Sequence, residues 1–228
     1  MVEIDFFIVA LPIGNYRDIS LRAIDILNSV DFVVCENEKE YKRLVSFLNI
    51  PLKKFVICNE NYEKDAIELS LSLLKNGEKG ALISDCGVPI FEDPGFLLIE
   101  AIRRNGYKVT SIPGPNSIIT AISLSPFKIK DFYFAGFLSQ KSDIREKELR
   151  DLIKRKETII LMESPHRLFN ILDLLKKIIP DRKIYLPFNL TMEDEMIFYD
   201  KPKNIEKDIQ KIGIKKGEFL IVIESKNS

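Results

Sequence analysis

Within five residues, Glu163-Ser164-Pro165-His166-Arg167 combines a carboxylate, the only histidine of the chain and a guanidinium. A carboxylate or an imidazole can take a proton from a weakly acidic group, and a guanidinium can hold an anion. Ser-Pro is also how many helices begin, and on that plainer reading His166 and Arg167 only cover a first turn. A second stretch, residues 82–95, reads LISDCGVPIFEDPG. It puts Asp85 at the tip of an apolar run, Gly87 where a ligand can approach the backbone closely, and Pro89 and Pro94 where they stiffen the chain. Such a loop can offer main-chain groups to a ligand and one negative charge to a hydroxyl or a cation. Asp93 is placed to cap the helix that follows, with Pro94 as its first residue. A third stretch, Glu36-Asn37-Glu38-Lys39-Glu40, is either a metal or phosphate site or a solvated helix start.

These residues need strands and helices to carry them. In the first half, strands are predicted at 5–10, 31–35, 54–58, 80–84 and 108–112, with helices at 20–28, 39–48, 64–75 and 94–104 between them. Strands alternating with helices of this length imply βαβ units, a mostly parallel sheet and right-handed crossovers. In such sheets the loops leaving the carboxyl ends of strands bind ligands. Pro113-Gly114-Pro115-Asn116 punctuates the chain and sets the expected division into domains at 1–115 and 116–228. An apolar helix at 117–125 follows. Beyond it the rhythm changes: strands at 132–137, 158–162, 183–188, 196–199 and 219–224 are less regularly separated by helices at 141–155, 164–178 and 204–212. A mixed sheet is expected there.

Composition narrows the function classes. Lys plus Arg and Asp plus Glu are 34 each, so no global field draws the protein to nucleic acid or membrane, and any RNA contact must use a local patch. The cations of 141–156 (Lys141, Arg145, Lys147, Arg150, Lys154, Arg155, Lys156) alternate with acids, which describes a solvated helix face unless a few of them line up as a phosphate track. The start, MVEIDFFIVALPIGN, lacks a basic leader segment and reads as a first strand, and no apolar run approaches the ~20 residues of a bilayer span. Cys35, Cys58 and Cys86 form no CxxC pair, so neither zinc nor a disulfide framework is indicated, and a cytoplasmic protein without metal or membrane attachment is expected. The absence of GxxxxGK[ST], GxGxxG, HExxH and GxSxG motifs disfavours P-loop enzymes, dinucleotide dehydrogenases and zinc hydrolases.

Six segments in order, LPIGNYRDISLRAIDIL, LISDCGVPIFEDPG, PGPNSIITAIS, GFLSQK, MESPHRL and GEFLIVIE, together resemble the tetrapyrrole methylase superfamily. The nearest branch is that of the ribosomal RNA small subunit methyltransferases of type I. The resemblance implies two α/β domains, usually in a homodimer, with S-adenosylmethionine in a cleft between the domains. It assigns cofactor binding to Leu11, Pro12, Asp85, Val88, Pro89, Ser117, Ile118, Met162, Pro187 and Glu218. For that branch it implies methylation of a cytidine ribose 2′-hydroxyl in the small ribosomal subunit. Glu163 or His166 would then accept the proton, Arg167 or Lys39 would hold a phosphate, and Glu36 would complete the ionisable set. The chain departs from the branch twice. It has Glu36-Asn37-Glu38-Lys39-Glu40 in place of Glu-Asp-Thr-Arg-His, and Phe188-Asn189 in place of an Arg-Glu pair. A small-molecule methylase, or a cofactor-binding protein without catalysis, are the alternatives those departures leave open.

Overall fold

Phe32, Val33, Val34 and Cys35 are all buried, as befits a strand covered on both faces. In the computed structural model, which describes residues 3–225, this strand is β2 (Phe32–Cys35), one of five in the unit Met1–Asn116. The others are β1 (Phe6–Val9), β3 (Lys54–Ile57), β4 (Gly80–Leu82) and β5 (Val109–Ile112). They form a wholly parallel sheet in the order β3-β2-β4-β1-β5. Successive strands step outward from β1 to β3, then return to place β4 between β2 and β1. Because crossovers are right-handed, reversing the direction of travel puts the later helices on the opposite face. Accordingly α1 (Leu21–Ser29) and α2 (Glu38–Leu48) bury Leu27, Tyr41 and Leu44 against Val9, Val33 and Ile83. The other face receives α3 (Glu63–Lys75) and α4 (Phe96–Arg104), which pack Leu73, Leu98 and Ile102 on Phe6, Phe32 and Leu82.

Two local expectations are corrected. Helix α4 begins at Phe96, and its cap is Gly95 in a left-handed conformation (φ +114°), not Asp93. Gly95 donates its N–H to Glu63 Oε1 at 3.3 Å, and a Cβ there would lie 2.8 Å from Leu82. The chain turns too sharply onto the sheet for an aspartate two residues earlier to cap the helix. Likewise Ser164 makes no cap hydrogen bond, because Pro165–Arg167 forms a 3₁₀ turn before the next helix starts.

The unit Ser117–Ser228 opens with α5 (Ser117–Ser123) and builds a mixed sheet. Its strands are β6 (Phe132–Phe137), β7 (Thr158–Glu163), β8 (Ile184–Phe188), β9 (Met196–Asp200) and β10 (Phe219–Ile223), in the order β6-β7-β10-β8-β9. β6 and β7 are parallel, and β10 runs against both β7 and β8. β6, β7 and β8 therefore point the same way, and their carboxyl ends share one edge. Helices α6 (Ser142–Leu152), α7 (Leu168–Ile178) and α8 (Pro202–Ile212) cover one face with a core that includes Leu149, Leu172 and Ile205. The two α/β units, one parallel and one mixed, are the fold class expected from the sequence.

Gly80, the first residue of β4, pairs with both Phe6 and Phe32. A Cβ at this position would stand 2.4 Å from the Phe32 ring and 2.6 Å from that of Phe6. Both rings are fully buried and cannot swing aside. Gly80→Ala is therefore expected to destabilise by about 1–3 kcal/mol, the usual cost of overpacking. Urea unfolding monitored by circular dichroism measures it, and a parental midpoint would show that the rings yield.

Candidate active site

Placing β4 between β2 and β1 sends its outgoing chain to one face of the sheet while both neighbours send theirs to the other. The crevice that opens at such a reversal is where open α/β sheets bind ligands. Here a pocket is lined by Leu11 and Pro12 after β1, Cys35 at the end of β2, Tyr41 on α2, and Ser84 and Asp85 after β4. The loops are tied together through their main chains. Leu11 N–H donates to Gly87 O at 2.7 Å, Gly87 N–H returns to Pro12 O at 3.4 Å, and Ser84 Oγ donates to Cys86 O at 2.9 Å. Pro12 and Pro89 are buried, Val88 is half-buried, and Asp85 is exposed.

The loop from β4 to α4 is strained. Gly87, Ile90, Glu92 and Gly95 all have positive φ, and for the β-branched Ile90 (φ +77°) that conformation is costly. The folded loop gathers acids that lie far apart in sequence. Removal from water pushes the Glu36 carboxyl up to about 7, with the charges of Asp93 and Asp85 adding to it, while an N–H of Asp85 acts against the rise. Asp93 is pushed up to about 6 by burial, then by Asp85 and Glu92. Asp85 is raised by burial and by Glu40. Carboxylates in such company favour a cationic or hydroxyl-bearing neighbour. Glu36 is thus drawn to Asp85, whereas Lys39 projects into solvent on α2, its N–H held by the Asn37 cap at 2.9 Å. The partnership of Glu36 with Asp93 was not foreseen; only the reversed turn at Gly95 brings Asp93 back.

The second unit collects its polar groups at the shared edge of β6, β7 and β8. Glu163 is nearly enclosed, and its Oε1 accepts from Ser164 N–H at 2.8 Å and from Arg167 Nη2 at 2.7 Å. Its Oε2 is buried without a hydrogen-bond partner among the described residues. Each nitrogen of Arg167 has a protein partner, since Nε donates to Ser164 Oγ at 3.2 Å and Nη1 to Ser139 O at 3.5 Å. His166 is exposed on the same turn, near Glu218. Met162 and Pro187 sit near the ends of β7 and β8, and Ser117 and the buried Ile118 open α5. Among the described residues no group of histidines, cysteines and carboxylates is arranged to hold a metal ion, and no helix is long and apolar enough to cross a membrane.

Residues 5–205 match the family of tetrapyrrole (corrin/porphyrin) methylases. A ribosomal RNA small subunit methyltransferase I from Borrelia garinii subsp. bavariensis is 38% identical over 223 residues, 97% of this chain and 99% of that protein. One from Thermotoga maritima is 35% identical over 221 residues, 96% of this chain and 97% of the relative. Among solved structures, cobalt precorrin-4 methyltransferase superposes with a TM-score of 0.71 at 16% identity, covering 96% of this chain and 94% of that one. Diphthine synthase gives 0.64 at 16% identity, over 97% and 89%.

The acid cluster has a consequence for stability. A carboxyl whose folded pKa is raised contributes stability that is fully present below its unfolded pKa and lost as pH rises through the folded value. For Glu36 that window runs from its ordinary 4.5 to about 7. The urea midpoint is expected to fall between pH 5 and pH 8, and Glu36→Gln to fall less steeply and exceed the parent at pH 8. Parallel profiles for the two proteins would remove Glu36 from the coupled cluster.

Proposed function

The chain belongs to the tetrapyrrole (corrin/porphyrin) methylases and is a methyltransferase, and from that premise we propose that it moves a methyl group from S-adenosylmethionine to a cytidine ribose 2′-hydroxyl of small-subunit ribosomal RNA. The observation that carries the substrate is the full-length similarity to proteins named for that RNA, at 38% identity in one case. Leu11, Pro12 and Asp85 line one pocket, with Val88 and Pro89 on the same loop, and they suit the donor chemically. Buried prolines and tied main-chain groups make a rigid wall, and the raised carboxylates of Asp85, Glu36 and Asp93 favour a cation over an anion. The bound cofactor supplies a methyl group on a positively charged sulfur.

What the chain adds is orientation and a proton acceptor. In-line attack of a hydroxyl oxygen on a methyl carbon depends on fixed geometry, and rigid strand ends provide it. The oxygen must also lose its proton. Glu163 is committed to Arg167 and Ser164 and its second oxygen is enclosed, so it anchors the turn. His166, exposed on that turn, is the group able to reach a substrate hydroxyl. The protein is proposed to act in the cytoplasm as a homodimer.

Incubation of small ribosomal subunits with labelled S-adenosylmethionine should place label on a ribose. His166→Ala should lower turnover by roughly 10²–10⁴, the range for loss of a general base, with donor affinity by calorimetry unchanged. Parental turnover in that variant would place the proton elsewhere. Light scattering should report twice 26.3 kDa, and a mass near 26.3 kDa at micromolar concentration would refute the dimer.

A further inference from the structure

A protein with 34 cations and 34 acids can hold a polyanion only where positive charge is left uncompensated. Several cations on and beside α6 are spent. Arg150 pairs with Glu146 at 2.8 Å, and Lys177 takes the other oxygen of the same carboxylate at 2.7 Å. Lys154 is on Asp151 at 2.6 Å, and Arg155 on Glu157 at 3.0 Å. Arg145 differs. Like Lys141, Lys147 and Lys156 it has no ion pair among the described residues, but unlike those exposed lysines it is half-buried and folds back over the start of α6. There Nη1 donates to the carbonyls of Ser139 at 3.3 Å and Gln140 at 3.2 Å.

That turn is built rather than loose. Ser139 N–H donates to Glu148 Oε2 at 2.8 Å, and Lys141 N–H to Ser139 Oγ at 3.2 Å. Arg167 reaches the same Ser139 carbonyl at 3.5 Å, while its own charge is met by buried Glu163. Of the nearby acids, Glu148 is engaged by Ser139 N–H, Glu163 is ion-paired with Arg167 and also feels the charge of Arg145, and Asp143, on the first turn of α6, is exposed. Among the described residues Arg145 keeps Nε and Nη2 free of protein partners, while Nη1 is held by the two carbonyls. Lys141, also exposed, stands at the same turn. A guanidinium held in place with open donors matches the geometry of phosphate oxygens, and little further entropy is lost when it binds. The turn leaves the end of β6, and the His166 turn leaves the adjacent end of parallel β7.

We propose that Arg145, with Lys141, forms a subsite for a phosphodiester of the RNA strand, which seats a nucleotide at the edge from which His166 projects. This rests on the ribosomal RNA reading above and names its phosphate contact.

The test measures binding of in-vitro transcribed small-subunit ribosomal RNA by fluorescence anisotropy across a salt series. Arg145→Gln keeps N–H donors for the two carbonyls and removes the charge. It should lower the slope of log affinity against log salt by about 0.7–0.9, one phosphate's worth, with circular dichroism and calorimetric affinity for S-adenosylmethionine unchanged. Arg150→Gln, which removes a cation already paired with an acid, should keep the parental slope. Arg145→Lys should restore the slope but only part of the affinity, because it returns the charge without the fork. A parental slope in Arg145→Gln would overturn the subsite and leave the RNA reading standing. Absence of RNA binding by the parent at every salt concentration would overturn both.

Discussion

β4 lies between β2 and β1, and it can do so because its first residue carries no side chain. Gly80 stands between the buried rings of Phe6 and Phe32, which close over it from both neighbouring strands. That contact fixes a late strand between two earlier ones, and the rest of the first unit follows from it. With right-handed crossovers the direction of travel must reverse, so α3 and α4 go to the face opposite α1 and α2. The chains leaving β1 and β2 then part from the chain leaving β4, and the pocket between them is a result of topology before it is a matter of any polar residue. Leu11, Pro12 and Asp85 meet there because their strands end there.

The loop that fills this opening carries an energetic burden. Two non-glycine residues, Ile90 and Glu92, are held at positive φ, each worth of order 1–3 kcal/mol of local strain. Carboxyls are also brought close together, so that beyond the effect of burial Asp85 raises Glu36 and Asp93, and Asp93 raises Glu36. A sequence selected only for stability would relieve both. Their presence on and against this loop fits a wall whose shape and charge are set for a ligand, with the cost met by the apolar core beneath. The second unit arranges its polar edge differently, through a nearly enclosed ion pair between Glu163 and Arg167 that locks two adjacent strand ends to one another. Breaking such a pair from one side leaves a buried charge and typically costs about 3–5 kcal/mol. The rigidity on which methyl transfer depends therefore has two physical sources, strain in one unit and a buried charge pair in the other.

How much of this was legible in the sequence depends on the range of the interaction. Apolar runs such as residues 32–35 and 80–82 announce strands because burial on both faces needs only local composition. Proline and glycine likewise announced the loop at 82–95. Capping was misread where tertiary geometry overrode local preference: Asp93 has the chemistry of a cap, yet the backbone needed a left-handed residue, and Gly95 took that role. Asp93 was then free to join Glu36, a partnership between positions 57 residues apart that no local pattern encodes. Arg145 shows the same limit from the other side. In sequence it is one of seven interleaved cations at 141–156, indistinguishable from Arg150. What separates them is which acids lie within reach, and Lys177 on a different helix is part of that answer.

The same reasoning bears on Phe188 and Asn189, where the resemblance drawn from the sequence leads to the expectation of an Arg-Glu pair. Phe188 is buried, and its ring fills the space that a side chain at Gly217 would need, with a Cβ there only 2.1 Å away. Asn189, in a left-handed conformation, accepts from Glu218 N–H at 2.8 Å and donates its own N–H to Glu218 O at 2.7 Å. Its side-chain amide also donates to Asp194 at 2.7 Å. An ionised glutamate could not donate to that aspartate, so the change to an amide fits its surroundings. Gly217, Phe188, Asn189 and Asp194 form a consistent set that joins the end of β8 to the start of β10. Phe188 and Asn189 are thus part of the framework of this edge. In the function proposed above, His166, exposed beside the Glu163–Arg167 lock, and Arg145 on the neighbouring turn are the groups that would meet a substrate at this edge. On that proposal the imidazole would take the proton of a ribose hydroxyl and the guanidinium would hold a phosphate of the same strand, two tasks those side chains suit chemically.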